Sequence, residues 1–106
     1  MNIEHLLSRE RSKDYGCNEF ACEAWQYITG EDLTQRLNDY LNGKGKFERL
    51  NEPISPCITF FKWNNRSSTH VGLFFENRIL HLGLRGAQLA PLQILESVFL
   101  SVEYFR

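Results

Sequence analysis

Residues 69–82 read THVGLFFENRILHL, two runs rich in β-branched, aromatic and aliphatic residues separated by the pair Glu76-Asn77. Such runs are typical of β-strands, and a two-residue break between them predicts a β-hairpin. With the turn at Glu76-Asn77, Phe75 pairs with Arg78, and every earlier residue of the first strand has a defined partner on the second. The turn therefore predicts which side chains of the two strands share a face.

The hairpin predicts that two histidines meet. Side chains alternate across a strand, so His70 and Gly72 lie on one face, and His81 of the neighbouring strand lies on the same face. The register puts Gly72 opposite His81 and makes the two histidines diagonal neighbours, with Cβ atoms about 7–8 Å apart, a gap that two imidazole rings can close. Because a slip of one residue would send them to opposite faces, the contact depends on the turn.

Helices are predicted upstream of this hairpin. Apolar residues recur at 3.6-residue spacing from Cys17 to Thr29, and Gly30 follows as a stop signal. A second helix is predicted over Asp32 to Leu41, and residues 1–14 predict a short helix followed by a polar loop. The first part of the chain is therefore expected to be helical.

Strands dominate the remainder of the sequence. They are predicted over 57–63 and 99–105 and as an extension of the sheet over 88–90, with a short helix over 91–98. Helices followed by a mostly antiparallel sheet define an α+β fold. A length of 106 residues with 42% hydrophobic residues predicts one domain over 1–106.

The composition argues against several classes of function. Twelve Lys and Arg against 13 Asp and Glu leave a formal net charge of -1, and because the charges are interspersed, no nucleic-acid partner is expected. No apolar stretch approaches the roughly 20 residues of a membrane span, and residues 1–5 lack a signal-peptide pattern, which predicts a soluble product made in the cytoplasm without membrane insertion. The odd number of cysteines predicts free thiols.

Cys17 is the candidate nucleophile because it lies in the first turn of the predicted helix. The positive end of the helix dipole and a protonated imidazole nearby favour the thiolate there. His70 is predicted to be the base that pairs with the thiol, and His81 is predicted to orient the His70 ring. Backbone N–H groups at the helix start can stabilise an oxyanion. These roles predict acyl transfer, most simply amide hydrolysis, without a cofactor or a metal.

Other residues have competing interpretations. Tyr15, two residues before the candidate nucleophile, either lines the substrate cleft or packs against the core. Cys22 and Cys57 are predicted to be core thiols, and His5 is predicted to lie on the surface. Strand aromatics such as Trp63 are expected in the sheet core, with one or two left to line a groove.

The order of these motifs resembles the NlpC/P60 cysteine peptidases, particularly their short phage-type members. In that family a helix that begins at a cysteine and ends in Thr-Gly is followed by a His-Val-Gly strand and then by a second histidine-bearing strand. The matching pieces, within residues 15–106, are Tyr15-Gly16-Cys17-Asn18-Glu19-Phe20, Ile28-Thr29-Gly30-Glu31-Asp32, Thr69-His70-Val71-Gly72-Leu73-Phe74 and Ile79-Leu80-His81.

The resemblance implies a papain-like fold with Cys17, His70 and His81 as its catalytic triad. It also implies hydrolysis of amide bonds in peptidoglycan stem peptides, and association with a phage tail, so that other tail proteins become expected partners and the virion an expected location. The chain differs from the family around the cysteine, where Gly16 stands in place of the common Asp. Pro56-Cys57 replaces the usual Gly-Asp before the central strand.

Two further hypotheses stay open at this stage. The differences around Cys17 are compatible with a structural phage tail component that keeps the fold with weak or no hydrolase activity. One thiolate and two imidazoles could also bind Zn²⁺ with an open fourth position, although these residues lack the paired spacing of common zinc motifs.

Overall fold

The computed structural model describes residues 2–66 and 69–106, which form four helices and six strands. The helices are α1 (Glu4–Leu7), α2 (Cys17–Thr29), α3 (Thr34–Leu41) and α4 (Leu92–Val98). The strands are β1 (Arg49–Leu50), β2 (Cys57–Lys62), β3 (His70–Phe75), β4 (Arg78–Gly83), β5 (Gly86–Pro91) and β6 (Ser101–Phe105). The order of elements confirms the predicted α+β class, and the Cα radius of gyration of 12.8 Å is that of a compact chain of this length.

The six strands form one antiparallel sheet with the order β1-β6-β2-β3-β4-β5. The hairpin β3–β4 has the predicted turn: Glu76 and Asn77 have φ values of 49° and 67°, positive at both positions as a type I′ turn requires. Phe75 pairs with Arg78 in the ladder, in the predicted register. The turn therefore fixes the faces of β3 and β4 as the sequence indicates.

One face of the sheet, called here the helix face, is covered by α1, α2 and α3. Helix α2 buries Phe20, Ala24 and Trp25 in this layer, and the helix ends at Gly30 in the left-handed conformation (φ 82°). The strand residues that form the core of the helix face are apolar and include Ile58, Phe60, Val71, Leu73, Phe75, Leu80, Leu82 and Phe105, whereas Lys62, Ser101 and Glu103 share this face without belonging to its core. The amphipathic helix and the apolar face thus complete the main core.

The opposite face, called here the histidine face, holds a smaller core. Phe61, Phe74 and Ile79 pack there with Leu95 of α4, and the alternation of side chains puts His70 and His81 on this face too. The two buried polar residues among the described ones, Thr59 and His81, both belong to it. This face therefore combines apolar packing with polar groups.

Several boundaries differ from the predictions for local reasons. Helix α3 begins at Thr34 because the Asp32 carboxylate accepts a hydrogen bond from the Thr34 N–H (3.0 Å), which holds the preceding residues in a turn. The sequence does not predict strand β1, and the last strand, β6, lies between β1 and β2. Trp63 follows β2 and is 59% exposed, so it is not a core residue.

Across residues 2–66 and 69–106, none of the helices combines the length and the apolar character that crossing a bilayer requires.

Candidate active site

The two strand histidines contact each other directly. His70 Nε2 and His81 Nδ1 lie 3.2 Å apart, and the ring planes are nearly perpendicular at 86°. Gly72 makes this approach possible, since a Cβ atom at that position would lie only 3.1 Å from His81 Cβ and 3.0 Å from Ile79 Cγ2. The predicted diagonal contact is confirmed, and the glycine opposite His81 is needed for it.

Both imidazoles are packed in an apolar surrounding. The Phe61 ring lies edge-on to His70 at 4.8 Å and to His81 at 6.0 Å between centroids. Burial lowers the pKa of His70 to about 4, with smaller contributions from His81 and from the positive charge of Arg11. Burial, followed by Arg11, also lowers the pKa of His81. Both rings are therefore neutral at pH 7.

The neutral pair has a definite chemical consequence. When His70 Nε2–H donates to His81 Nδ1, the Nδ1 atom of His70 keeps a lone pair and can accept a proton. His81 Nε2 then carries the other proton; this atom is buried and has no hydrogen-bond partner among the described residues. In that tautomer the pair has the chemistry of a base with a second ring that can orient it.

Cys17 is the first residue of α2, as predicted. Gly16 is the N-cap, and its N–H donates to the Glu19 carboxylate at 2.7 Å. Gly16 has no side chain with which to cap the helix in return, so within residues 2–66 and 69–106 the N-cap residue leaves the N–H groups of the first turn uncapped. The half-buried Cys17 thiol contacts Asn18 Oδ1 at 3.6 Å. A thiol and uncapped amide donors therefore lie at one place.

A cleft of about 380 Å³ is lined by Cys17, His70 and His81 together. It lies at the end of the sheet where β2 and β4 finish and β3 begins. Cys17 packs against the core of the helix face, whereas the two histidines extend from the histidine face, and all three line the cleft at this end of the strands. Across the described chain, no hydrogen bond joins the thiol to either imidazole.

The other predicted residues take simpler positions. The Tyr15 hydroxyl donates to Glu23, and its ring packs against the main core, so the packing interpretation of Tyr15 holds and its assignment to substrate binding has no support from the cleft lining. The Glu23 carboxylate also accepts hydrogen bonds from Nε and Nη2 of Arg9. Burial raises the pKa values of Cys22 and Cys57, as expected of core thiols.

Arg11 is absent from the sequence-based predictions of the cleft, whereas one or two strand aromatics are expected to line a groove and Trp63 does so. Arg11 lines the cleft although it precedes the helix in the polar loop, and its chemistry leaves no periodic signal in the sequence. Trp63 and Phe99 form an aromatic wall, with ring centroids 4.4 Å apart. For a metal ion, the part of the chain that the structure describes offers no group of three or more His, Cys, Asp or Glu ligands, and the zinc hypothesis gains no support.

Comparison of the chain with protein-family models, with curated proteins and with solved structures finds no match. The site is therefore interpreted from its own geometry. That geometry consists of a thiol at a helix start, a buried pair of neutral imidazoles and a cleft that all three groups line.

Proposed function

We propose that the chain is a cysteine amidase or endopeptidase with Cys17 as nucleophile, His70 as base and His81 as the residue that orients His70. The observation that carries this proposal is the 3.2 Å contact between His70 Nε2 and His81 Nδ1 beside a cleft that Cys17 also lines. A buried histidine pair of this kind holds one ring in a fixed tautomer, which is what a base next to a thiol requires.

In the proposed reaction, His70 Nδ1 accepts the proton of the Cys17 thiol while the sulfur attacks the substrate. The sulfur attacks the carbonyl carbon of the amide, and the N–H groups at the start of α2 stabilise the oxygen that becomes negative. When the C–N bond breaks, the amine leaves with the proton from His70. Water then attacks the thioester while His70 accepts its proton, and the thiol is regenerated with release of the acid.

The low pKa of His70 changes the first step relative to the sequence-based expectation. A group with a pKa of about 4 is neutral at pH 7, so His70 acts as a general base during attack rather than as the resident cation of an ion pair. The thiol has to leave Asn18 Oδ1 and turn toward His70 for this transfer.

The proposal also includes a substrate class and a more specific fold, both of which come from the family resemblance. The resemblance to NlpC/P60 peptidases implies a papain-like arrangement and amide bonds of peptidoglycan stem peptides as the target. It also implies association with a phage tail, with other tail proteins as partners and the virion as the place of action. The chain would be made in the cytoplasm and carried to the cell wall within the particle.

Hydrolysis of purified peptidoglycan and of a soluble stem tetrapeptide by single variants tests the enzyme directly. Cys17→Ala is expected to reduce the rate by about 10⁴-fold or more, because the nucleophile is removed. Cys22→Ala is the matched control from the same helix and is expected to keep the wild-type rate. Iodoacetamide should label Cys17 well before the core thiols Cys22 and Cys57. Equal labelling of the three thiols, or full activity of Cys17→Ala, would contradict the proposal.

One observation favours a second candidate, a structural tail component without activity. The Cys17 thiol donates a hydrogen bond to Asn18 Oδ1 and not to an imidazole. Such a component would bind its tail partners equally well with Cys17→Ala, and no amide substrate would be cleaved by the wild type. Particle assembly with wild-type and Cys17→Ala chains, measured together with hydrolysis, separates the two candidates.

A further inference from the structure

Arg11 occupies a defined place beside the proposed nucleophile. Its Nη2 atom donates to Leu82 O and its Nε atom donates to Gly83 O, both at 3.1 Å, so the guanidinium is fixed to the end of β4. The third nitrogen, Nη1, lies 3.8 Å from the position of a Cβ atom on Gly16, the residue directly before Cys17. One N–H₂ group of Arg11 is therefore left at the start of α2.

The backbone around Arg11 is held as well. The Arg9 carbonyl accepts a hydrogen bond from the Ala87 N–H of β5 at 2.9 Å, and Ser12 and Tyr15 exchange two backbone hydrogen bonds. These contacts bracket Arg11 on both sides. Because both the chain and two guanidinium nitrogens are fixed, the position of Nη1 is set in advance of any ligand.

The cleft is otherwise apolar or neutral. Trp63 and Phe99 form its aromatic wall, and the two histidines are neutral at pH 7, which leaves Arg11 as the one permanent charge among the described lining residues. The Glu19 carboxylate also lies at the start of α2, where Oε1 accepts the Gly16 N–H and lies 3.4 Å from the position of a Cβ atom on Gly16, but no ion pair joins it to Arg11 within the described chain. A substrate in the cleft thus faces one cation and one aromatic wall.

We propose that Arg11 determines specificity by binding a carboxylate of the substrate next to the scissile amide, so that the preferred substrates are acidic peptides. This inference rests on the proposed function for the reaction itself. A guanidinium with a free N–H₂ edge is suited to carboxylate oxygens, and its fixed position adds to the discrimination. Neutral amides of the same shape are expected to bind more weakly.

Alkylation of Cys17 by iodoacetate and by iodoacetamide tests the charge effect without any hydrolysis. The reagents have similar size but differ in charge, and their rate constants at Cys17 are measured by peptide mass spectrometry. Arg11→Met is expected to lower the iodoacetate-to-iodoacetamide ratio about three- to fivefold, as loss of an exposed charge pair does. Arg11→Lys should preserve the ratio, and so should Arg78→Met, the matched control at the other end of β4.

The ratio separates recognition from structure, because both reagents report on the same thiol in the same variant. A Cys17 ratio that Arg11→Met leaves unchanged, or that Arg78→Met lowers equally, overturns the proposal. Cys22 provides an internal comparison, since its carboxylate neighbours Asp32 and Glu19 should disfavour iodoacetate there in every variant. In 0.5 M NaCl the wild-type ratio should approach that of Arg11→Met, since salt screens exposed charges.

A pair of substrates then extends the test to the reaction. A γ-glutamyl anilide with a free α-carboxylate is compared with the same compound as its α-carboxamide. Arg11→Met should raise KM about three- to fivefold for the acid alone. Equal loss on both compounds would assign Arg11 a purely structural role and overturn the inference. If neither compound is cleaved by the wild type while the alkylation ratio behaves as expected, the proposed hydrolysis fails and the anion preference stands.

Discussion

The two faces of the sheet are built from the same strands but have different chemistry. On the helix face, apolar residues from alternate strand positions meet α2 in a continuous core. On the histidine face, the apolar core is smaller, and beside it lie the half-buried His70 and the buried Thr59 and His81, of which Thr59 Oγ1 and His81 Nε2 have no hydrogen-bond partner among the described residues. One face therefore supplies most of the stability, and the other accepts a cost in stability to hold two imidazoles in contact.

The largest expected effect is on the helix face. Phe20 is fully buried in the main core, so Phe20→Ala should lower the free energy of unfolding by about 3–5 kcal/mol, measured by urea denaturation. The matched change on the histidine face, Phe74→Ala, should cost less, because Phe74 lies at the edge of a smaller cluster that can collapse around the cavity. A loss from Phe74→Ala that equals or exceeds the loss from Phe20→Ala would contradict this difference between the faces.

Acidification should weaken the histidine face specifically. The pKa of His70 is lowered from 6.5 to about 4, so between these values the unfolded chain binds a proton that the folded chain does not. Above pH 6.5 His70 does not lower the free energy of unfolding. As the pH drops from 6.5 toward 4, protonation of His70 in the unfolded chain lowers this free energy by about 3 kcal/mol. The free energy of unfolding, measured at pH 7, 5.5 and 4.5, tests this.

The variant His70→Gln should remove this part of the pH dependence, whereas His5→Gln, on α1, serves as the exposed control and should leave it in place. The acid limb of kcat/KM for the proposed reaction should likewise lie well below pH 6.5, since the base is the low-pKa His70. An acid limb close to pH 6.5, or identical pH curves for wild type and His70→Gln, would show that the imidazole is not buried as described.

A smaller effect is expected at Gly72, where the two histidines are brought together. A Cβ atom there would lie 3.0 Å from Ile79 Cγ2 and 3.1 Å from the Leu80 carbonyl, so Gly72→Ala should cost about 1–3 kcal/mol and displace His81. The loss of the ring contact should appear in the imidazole ¹⁵N shifts. Gly83→Ala is the matched control for stability, since its Cβ would meet only ordinary contacts at 3.5 Å or more.

The smallest effect on stability is expected for the contact of Glu23, on α2, with Arg9 and Tyr15 of the loop that precedes this helix. Glu23 accepts a hydrogen bond from Arg9 Nη2 at 2.7 Å and another from the Tyr15 hydroxyl. The side chains of Arg9 and Glu23 are each about one third exposed. Glu23→Gln should therefore lower the free energy of unfolding by about 1 kcal/mol, seen as a decrease in Tm. Glu10→Gln, an exposed neighbour, is expected to change stability by less than about 0.5 kcal/mol.

The sequence alone predicts those parts of the molecule that depend on helix periodicity and on short turns. Helix α2 follows from a 3.6-residue period that ends at Gly30, and the contact between His70 and His81 follows from the turn at Glu76-Asn77. Both inferences need only residues close together in the chain. For that reason the contact between the two histidines could be predicted from the sequence alone.

The remaining features depend on pairings across the whole chain. Strand β1 has two residues and no pattern of its own, and it pairs with β6 more than fifty residues later. The amphipathic pattern of α2 predicts one buried side but does not say which face of the sheet it covers. Arg11 reaches the cleft only because Leu82 and Gly83 present carbonyls to it, which no spacing in the sequence reveals.

The place of β6 has a consequence for the order of folding. The hairpin β3–β4 closes a loop of only a few residues and can form early, whereas β6 must enter between β1 and β2 after residues 101–105 are available. The two imidazoles can thus come together in a partly folded chain, while the aromatic wall at Phe99, next to β6, is completed late. The proposed base would be assembled before the cleft that has to receive a substrate.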